Sequence, residues 1–191
     1  MDEAGRGPLA GPVVVAAVLL GDGLADELSG VRDSKRLSHR QREALYLPIR
    51  RSARAIAIAW SHPRQIERLN ILRATLSAMR RAVLRTLRFS TRERRPFVLV
   101  DGNRCIPDLP APQMAVIDGD DRSLAVGCAS IIAKVFRDRC MARLDRRYPG
   151  YGLAQNKGYG TEEHLRALQR LGPSPIHRRT YAPVQELLLP V

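Results

Sequence analysis

Three candidate strands of this chain carry carboxylates at an end: Asp2-Glu3 in MDEAGRG, Asp101 in FVLVDG, and the Asp118-Gly119-Asp120-Asp121 group that closes QMAVIDGDD. No other feature limits the fold as much. Any one of these acids alone reads as an ordinary hydrated turn residue. If the strands neighbour one another in a sheet, several carboxylates converge at one end of it. Such a cluster repels itself strongly unless a cation sits in it. Oxygen-only ligands favour Mg2+ or Mn2+, with water and substrate phosphate oxygens filling the remaining positions. A divalent pair held in this way can activate a water and stabilise the leaving oxygen of a phosphodiester.

The run PVVVAAVLL (12–20), ended by Gly21-Asp22-Gly23, reads as a strand followed by a turn. Ser38 with Gln41 three residues on fits a capping box, and Leu45 and Leu47 begin the apolar side of the helix it opens. AIAIAW (55–60) reads as the next strand, and Ser61-His62-Pro63 as a helix entry. Over 70–87, Leu72, Leu76, Met79, Val83 and Leu87 recur at helical spacing, with arginines on the other faces. A basic recognition helix is one reading of this stretch; an amphipathic helix covering one face of a sheet is the favoured one. The loop with Pro107, Pro110 and Pro112 is not regular structure. A helix is predicted over 124–147, stopped by Pro149-Gly150, and NKGYGT is a loop. Thr161, ahead of Glu162 and Glu163, caps a last helix ending at Gly172. With no internal repeat and no long linker, the pattern predicts an α/β domain, strands dominating the first two thirds and helices the C-terminal part.

A net charge of +13 over 191 residues points to a polyanionic partner, most simply nucleic acid. That signal is discounted because arginine supplies nearly all of it. Only three of the 32 basic residues are lysines, which makes Lys35, Lys134 and Lys157 stand out. No apolar stretch is long enough to span a membrane. Asp2 and Glu3 stand where a signal peptide would be basic and then apolar. Cys105, Cys128 and Cys140 lack paired or ligand-like spacing, so reduced thiols in a cytoplasmic protein are expected, with no zinc site. An acidic site inside a basic protein is coherent: the basic surface holds a polyanion, and the acids hold the metals that cut it.

In this order, DEAGRG, DSKRLS, VDGNR, a GD about twenty residues later, ASIIAKVFRD, KGYGT and HRRTYAPV resemble bacterial ribonuclease HII, from Asp2 to Val184. The resemblance implies a ribonuclease H-like α/β fold, a central mixed sheet flanked by helices, with a helical C-terminal extension. The catalytic core would be 1–148, and 149–191 a substrate-contacting loop and helical extension of the same domain. It implies an endonuclease that cuts the RNA strand of RNA/DNA hybrids. It also implies incision 5′ to single ribonucleotides embedded in duplex DNA, leaving 3′-hydroxyl and 5′-phosphate ends. The family's catalytic and metal-binding acids fall on Asp2, Glu3, Asp101 and Asp120, with Mn2+ or Mg2+ as a two-metal cofactor. Asp118 and Asp121 compete with Asp120, and the family's ten-residue spacing to Ser130 selects Asp120. Consecutive strand residues face opposite ways, so Asp2 is expected to bridge the metals and Glu3 to act through its carbonyl or at the pocket edge.

The resemblance also assigns substrate contacts. Gly5, Arg6 and Gly7 would approach the nucleic acid and, with Tyr159, read the RNA-to-DNA junction, the 2′-hydroxyl being what tells RNA from DNA. Taken alone, Tyr159 reads as a loop aromatic packed on the domain. Ser130, Lys134 and Arg137 lie at i, i+4 and i+7, one helix face that could meet a phosphate backbone. Lys134 and Asp138 could equally be an ion pair, and Lys35 and Lys157 surface lysines; phosphate contact is favoured for all three. His39, His62, His164 and His177 show no metal or triad spacing and receive no role. The expected partner is nucleic acid, an RNA/DNA hybrid or a ribonucleotide-containing duplex, met by a monomer without a membrane. Two positions depart from the pattern. Asp118 stands where the family usually has lysine, and only Met1 precedes DEAGRG where the family has most of a strand. A late start codon or a fragment is the expected cause, and a weakened or inactive nucleic-acid-binding form is the alternative function.

Overall fold

The computed structural model describes residues 1–21, 28–31, 37–90 and 96–188. Strand β2 (Val13–Leu20) is its axis, pairing antiparallel with β1 (Asp2–Ala4) on one side and β3 (Ala53–Ser61) on the other. Strand β4 (Val98–Asp101) pairs in parallel with β5 (Gln113–Val116). Met1 joins the two sheets: its amino nitrogen donates to the Leu99 carbonyl (2.8 Å), and the Asp101 amide donates to the Met1 carbonyl (3.1 Å). The strands therefore run in the order β3-β2-β1-β4-β5, a mixed arrangement that sets the acids of β1 beside the acid ending β4.

β2 alternates strictly. Val13, Val15 and Ala17 face α2 (Pro63–Leu87), while Ala16, Val18 and Leu20 face α1 (His39–Ser52) and α4 (Leu124–Arg147). A strand covered on both faces needs no polar side, which is why 12–20 is an unbroken apolar run. α4 is buried on most of its circumference as well, among the sheet, α1 and the short helix α3 (Gly119–Arg122). At Gly127 an added methyl would stand 2.9 Å from the Asp120 carbonyl oxygen, so the close approach of α3 to α4 requires glycine there.

The amphipathic reading of the arginine-rich helix holds. Ala74, Ala78, Met79, Ala82 and Val83 of α2 are buried against the sheet. Its arginines serve the fold: Arg81 donates to the Trp60 carbonyl (2.7 Å) and Arg85 to the Ile58 carbonyl (3.1 Å), covering backbone acceptors of the outer strand β3. α2 breaks at Asn70 (φ 62°, ψ 165°), whose Oδ1 accepts the Arg73 amide (3.0 Å) and caps the second segment. The helical spacing that begins at 70 marks that second segment. Ser38 and Gln41 form the expected capping box at α1.

Four expectations are corrected. Helices outweigh strands in the first two thirds, because α1 and α2 have 14 and 25 residues and the longest strand nine. On α1 Leu45 packs inward with the buried Tyr46 and Ile49 as expected, whereas Leu47 points to solvent. The stretch read as a strand to Asp121 leaves the sheet after Val116 and turns at Asp118 into α3. The helix capped by Thr161, α6 (Glu162–Leu171), is not the last, since α7 (Ala182–Glu186) follows. Its Val184 packs with Leu153 of α5 (Leu153–Asn156), Leu168 of α6, and Leu9 and Met141. No described helix is long and apolar enough to cross a membrane.

Asn70→Ala removes a cap at a positive-φ position and is expected to cost about 1–2 kcal/mol of stability. The check is a lower urea midpoint with an unchanged denaturant slope.

Candidate active site

Asp2 is 6 % exposed. Its carboxylate accepts the Glu3 amide (2.6 Å) and the Ser130 hydroxyl from α4. Burial pushes its pKa up to about 7, and the charges of Glu3 and Asp101 push the same way. Glu3 is also raised, chiefly by burial and further by Asp101, against the pull of the Arg6 guanidinium 3.3 Å away. Asp101 Oδ1 accepts the Gly119 amide (2.8 Å), tying the end of β4 to the start of α3. The next residue, Asp120, is buried. Asp2, Glu3 and Asp101 thus share one electrostatic neighbourhood, with Asp120 on the adjoining turn.

The donor set suits a hard divalent cation. All four candidates are carboxylates, and the like-charge contacts that lift Asp2 are what such an ion relieves. As placed, no three acidic, histidine or cysteine side chains among the described residues enclose a point that could hold an ion.

Beside the acids runs a groove lined by Glu3, Gly5, Arg42, Ser130, Lys134 and Tyr159. Tyr159 is 45 % exposed there, which argues against its packing into the domain. Arg6 and Gly7 are exposed on the loop leading out of β1, and a methyl on Gly7 would lie 3.9 Å from the Tyr159 ring. Gly5 (φ 92°) has no room for a side chain, since a Cβ would fall 1.9 Å from Arg137 Nε. Lys134 forms the ion pair with Asp138 (3.0 Å) while also reaching the groove. Lys157 bonds the Ala154 carbonyl of its own turn. Lys35 lies outside the described residues.

Arg137 departs from the expected phosphate-facing role. It is 1 % exposed, donating from Nε to the Pro12 carbonyl (3.1 Å) and from Nη2 to the Ala10 carbonyl (3.3 Å). Burial and the neighbouring Arg178 lower its pKa to about 10. The i, i+4, i+7 pattern fails because α4 is covered on that side by the loop after β1.

Several site neighbours carry no sequence signal. Arg42 enters the groove from α1, where it reads as one more helix arginine. His164 and His177, thirteen residues apart, meet Nε2 to Nε2 at 3.1 Å in the interior. Arg178, in the HRR stretch, is fully buried. It donates to the carbonyls of Gly5 (2.5 Å), Arg6 (2.6 Å) and Gly11 (3.0 Å).

A family model described as Ribonuclease HII matches residues 1–184. Ribonuclease HII of Acaryochloris marina is 50 % identical over 192 residues, covering 100 % of this chain and 94 % of that protein. Ribonuclease HII of Halorhodospira halophila is 51 % identical over 188 residues, covering 98 % and 93 %. Among solved structures, the PCNA:RNase HII complex from Archaeoglobus fulgidus aligns with a TM-score of 0.77 at 28 % identity, covering 100 % of this chain and 96 % of that one. Ribonuclease H2 from Pyrococcus horikoshii aligns with a TM-score of 0.76 at 26 % identity, covering 97 % and 94 %. The fold is shared with both, so the mixed sheet flanked by helices is that of the ribonuclease H2 type.

Two measurements follow from the electrostatics. Asp2→Asn removes a buried, repelled charge while keeping an acceptor for Ser130. In the absence of divalent cations it is expected to raise the melting temperature by about 2–4 °C, and a fall would contradict the repulsion. His177 is lowered to about 4, by burial first and His164 second. Its folded pKa lies below the ordinary 6.5, so its neutral form stabilises the fold fully above pH 6.5. That contribution is lost as pH falls from 6.5 toward 4. The unaltered protein should lose melting temperature over this window more steeply than His177→Gln.

Proposed function

Because the chain belongs to the ribonuclease HII family, we propose that Asp2, Glu3, Asp101 and Asp120 are the carboxylates of its reaction, and that the 5–7 loop and Tyr159 read its substrate. The protein is a metal-dependent endoribonuclease acting on RNA/DNA hybrids and on ribonucleotides embedded in duplex DNA. The observation that carries the assignment of residues is the buried Asp2 carboxylate, lifted by the charges of Glu3 and Asp101 beside it, next to the groove that Glu3 lines.

Asp2, Glu3, Asp101 and Asp120 would hold two divalent cations, Mn2+ or Mg2+, which when bound would supply an activated water and counter-charge for the leaving 3′ oxygen, giving 3′-hydroxyl and 5′-phosphate ends. Asp2 is the ligand held most firmly, with the Glu3 amide and the Ser130 hydroxyl fixing its carboxylate. Glu3 works from the groove mouth, where Arg6 partly neutralises it until substrate arrives. Asp101 is oriented by the Gly119 amide, and Asp120 approaches from the same turn. Arg6, half-exposed at its guanidinium, bonds a phosphate or the ribose 2′-hydroxyl. Tyr159 offers its ring to the sugar at the junction. Lys134 and Lys157 sit at the groove and its bordering turn, where ammonium groups serve phosphates, and Lys35 is assigned the same task. Arg137 is withdrawn from this list because its guanidinium is buried in the protein.

A labelled DNA duplex carrying one ribonucleotide tests the assignment. Purified protein should incise it 5′ to the ribonucleotide with Mn2+ or Mg2+ and leave it intact in EDTA. Asp2→Asn, Asp101→Asn and Asp120→Asn should each lower kcat by at least about a hundredfold, the scale on which misplaced transition-state electrostatics act. Tyr159→Ala should lower kcat/KM about tenfold, as loss of a stacking platform does. An Asp120→Asn enzyme of normal rate would return the choice to Asp118 and Asp121.

A further inference from the structure

His164, His177 and Arg178 are almost completely buried, touch none of the four acids, and have no part in the chemistry above. Each is bonded to the backbone of a proposed substrate reader or to a neighbour that is. The Ser174 amide donates to His177 Nδ1 (3.0 Å), which leaves the proton of the neutral ring on Nε2. That nitrogen donates to His164 Nε2 (3.1 Å), so the His164 proton is on Nδ1, and Nδ1 donates to the Tyr159 carbonyl (2.8 Å). With the Ser174 amide as its fixed donor, the chain runs from His177 through His164 to the Tyr159 carbonyl, and burial lowers the pKa of both rings.

Arg178 does for the other reader what the histidines do for Tyr159. Its Nε donates to the Gly11 carbonyl, Nη1 to the Arg6 carbonyl and the Tyr181 hydroxyl, and Nη2 to the Gly5 and Gly11 carbonyls. All five N–H groups of the guanidinium are used, and among the described residues it pairs with no carboxylate. The Tyr181 hydroxyl donates a second bond to the Arg6 carbonyl (2.6 Å). The backbone adds to this: the Arg178 amide donates to the Leu9 carbonyl (2.8 Å), and the Gly11 amide to the Ile176 carbonyl (2.9 Å).

We propose that residues 174–178 form a positioning brace that fixes Tyr159 and the 5–7 loop relative to each other, and so sets the preference for an isolated ribonucleotide without touching it. The proposal rests on the reading of Tyr159 and the 5–7 loop as the elements that meet the RNA-to-DNA junction. A brace of this kind acts through the placement of the Tyr159, Gly5, Arg6 and Gly11 carbonyls. Its loss therefore falls on recognition of a junction more than on cleavage within a continuous hybrid.

The test compares kcat/KM on a DNA duplex with one ribonucleotide and on a continuous RNA/DNA hybrid, for the full chain with Mn2+. His177→Phe keeps the ring volume and removes the donor to His164; His177→Gln restores a donor near Nε2. Arg178→Lys keeps the charge but offers three N–H groups to acceptors spread over four carbonyl and hydroxyl oxygens. The ratio of single-ribonucleotide to hybrid cleavage should fall about tenfold in His177→Phe and in Arg178→Lys, and His177→Gln should recover most of it. An equal loss on both substrates, or a ratio within twofold of the unaltered protein, overturns the brace. If His177→Phe does not fold, Arg178→Lys decides alone. Tyr159→Ala separates the two layers. If it lowers the ratio and neither brace variant does, the brace is wrong; if it leaves the ratio unchanged, the reading of Tyr159 falls and the brace with it.

Discussion

The acid cluster of this molecule depends on a three-residue strand. β1 lies between β2 and the β4-β5 pair, so its residues, with the flanking Met1, must satisfy neighbours on both sides. The same strand carries Asp2, whose carboxylate is buried beside two other acids. A central strand this short has few ladder bonds to hold it. Its rigidity comes from packing: α4 closes one face through Ser130, and Met1 is buried in the cluster beneath α2 on the other. Because β1 is clamped in this way, a charge that would otherwise relax toward solvent is kept where it repels its neighbours. Such sites lower stability for the sake of preorganisation.

The parts of this design that show in the sequence are those with a local cause. β2 is an apolar run because both its faces are covered, and the capping box at Ser38 needs only four consecutive residues. The acids are legible because a carboxylate next to glycine at the end of an apolar run is a local pattern, and the family resemblance then orders them. What stays hidden depends on contacts between distant residues. Nothing near His164 announces His177, and Arg178 looks like one more arginine in a chain rich in them. Arg137 misleads for the same reason: helical spacing gives its face, and only the tertiary packing says that a loop lies on that face.

The net charge of +13 also changes meaning once the arginines are placed. Arg81 and Arg85 cover carbonyls of an outer strand, and Arg137 and Arg178 are interior. A share of the basicity is therefore structural and unavailable to a polyanion. The groove keeps Arg42 and Lys134, and the half-exposed Arg6 pairs with Glu3 at its edge, a small number of cations set next to acids. That balance suits a site that must hold a phosphate backbone over carboxylates, with Asp2 and Asp101 left outside the Arg6–Glu3 and Lys134–Asp138 pairs.

The loop after β1 brings these points together. It contains three glycines and two prolines from Gly5 to Pro12, a composition that by itself gives an unsteady chain with few amide donors. Its carbonyls are the means of control: Arg137 takes those of Ala10 and Pro12, and Arg178 takes those of Gly5, Arg6 and Gly11. Two neighbouring guanidinium groups, one from α4 and one from the segment after α6, thus fix five carbonyls of one short segment. Gly5 is glycine because the Arg137 side chain lies against its Cα, and so the bare backbone of the reader and the buried cation behind it are one requirement. A side chain at position 5 would have to displace Arg137, and with Arg137 gone Ala10 and Pro12 would lose the donor that holds them.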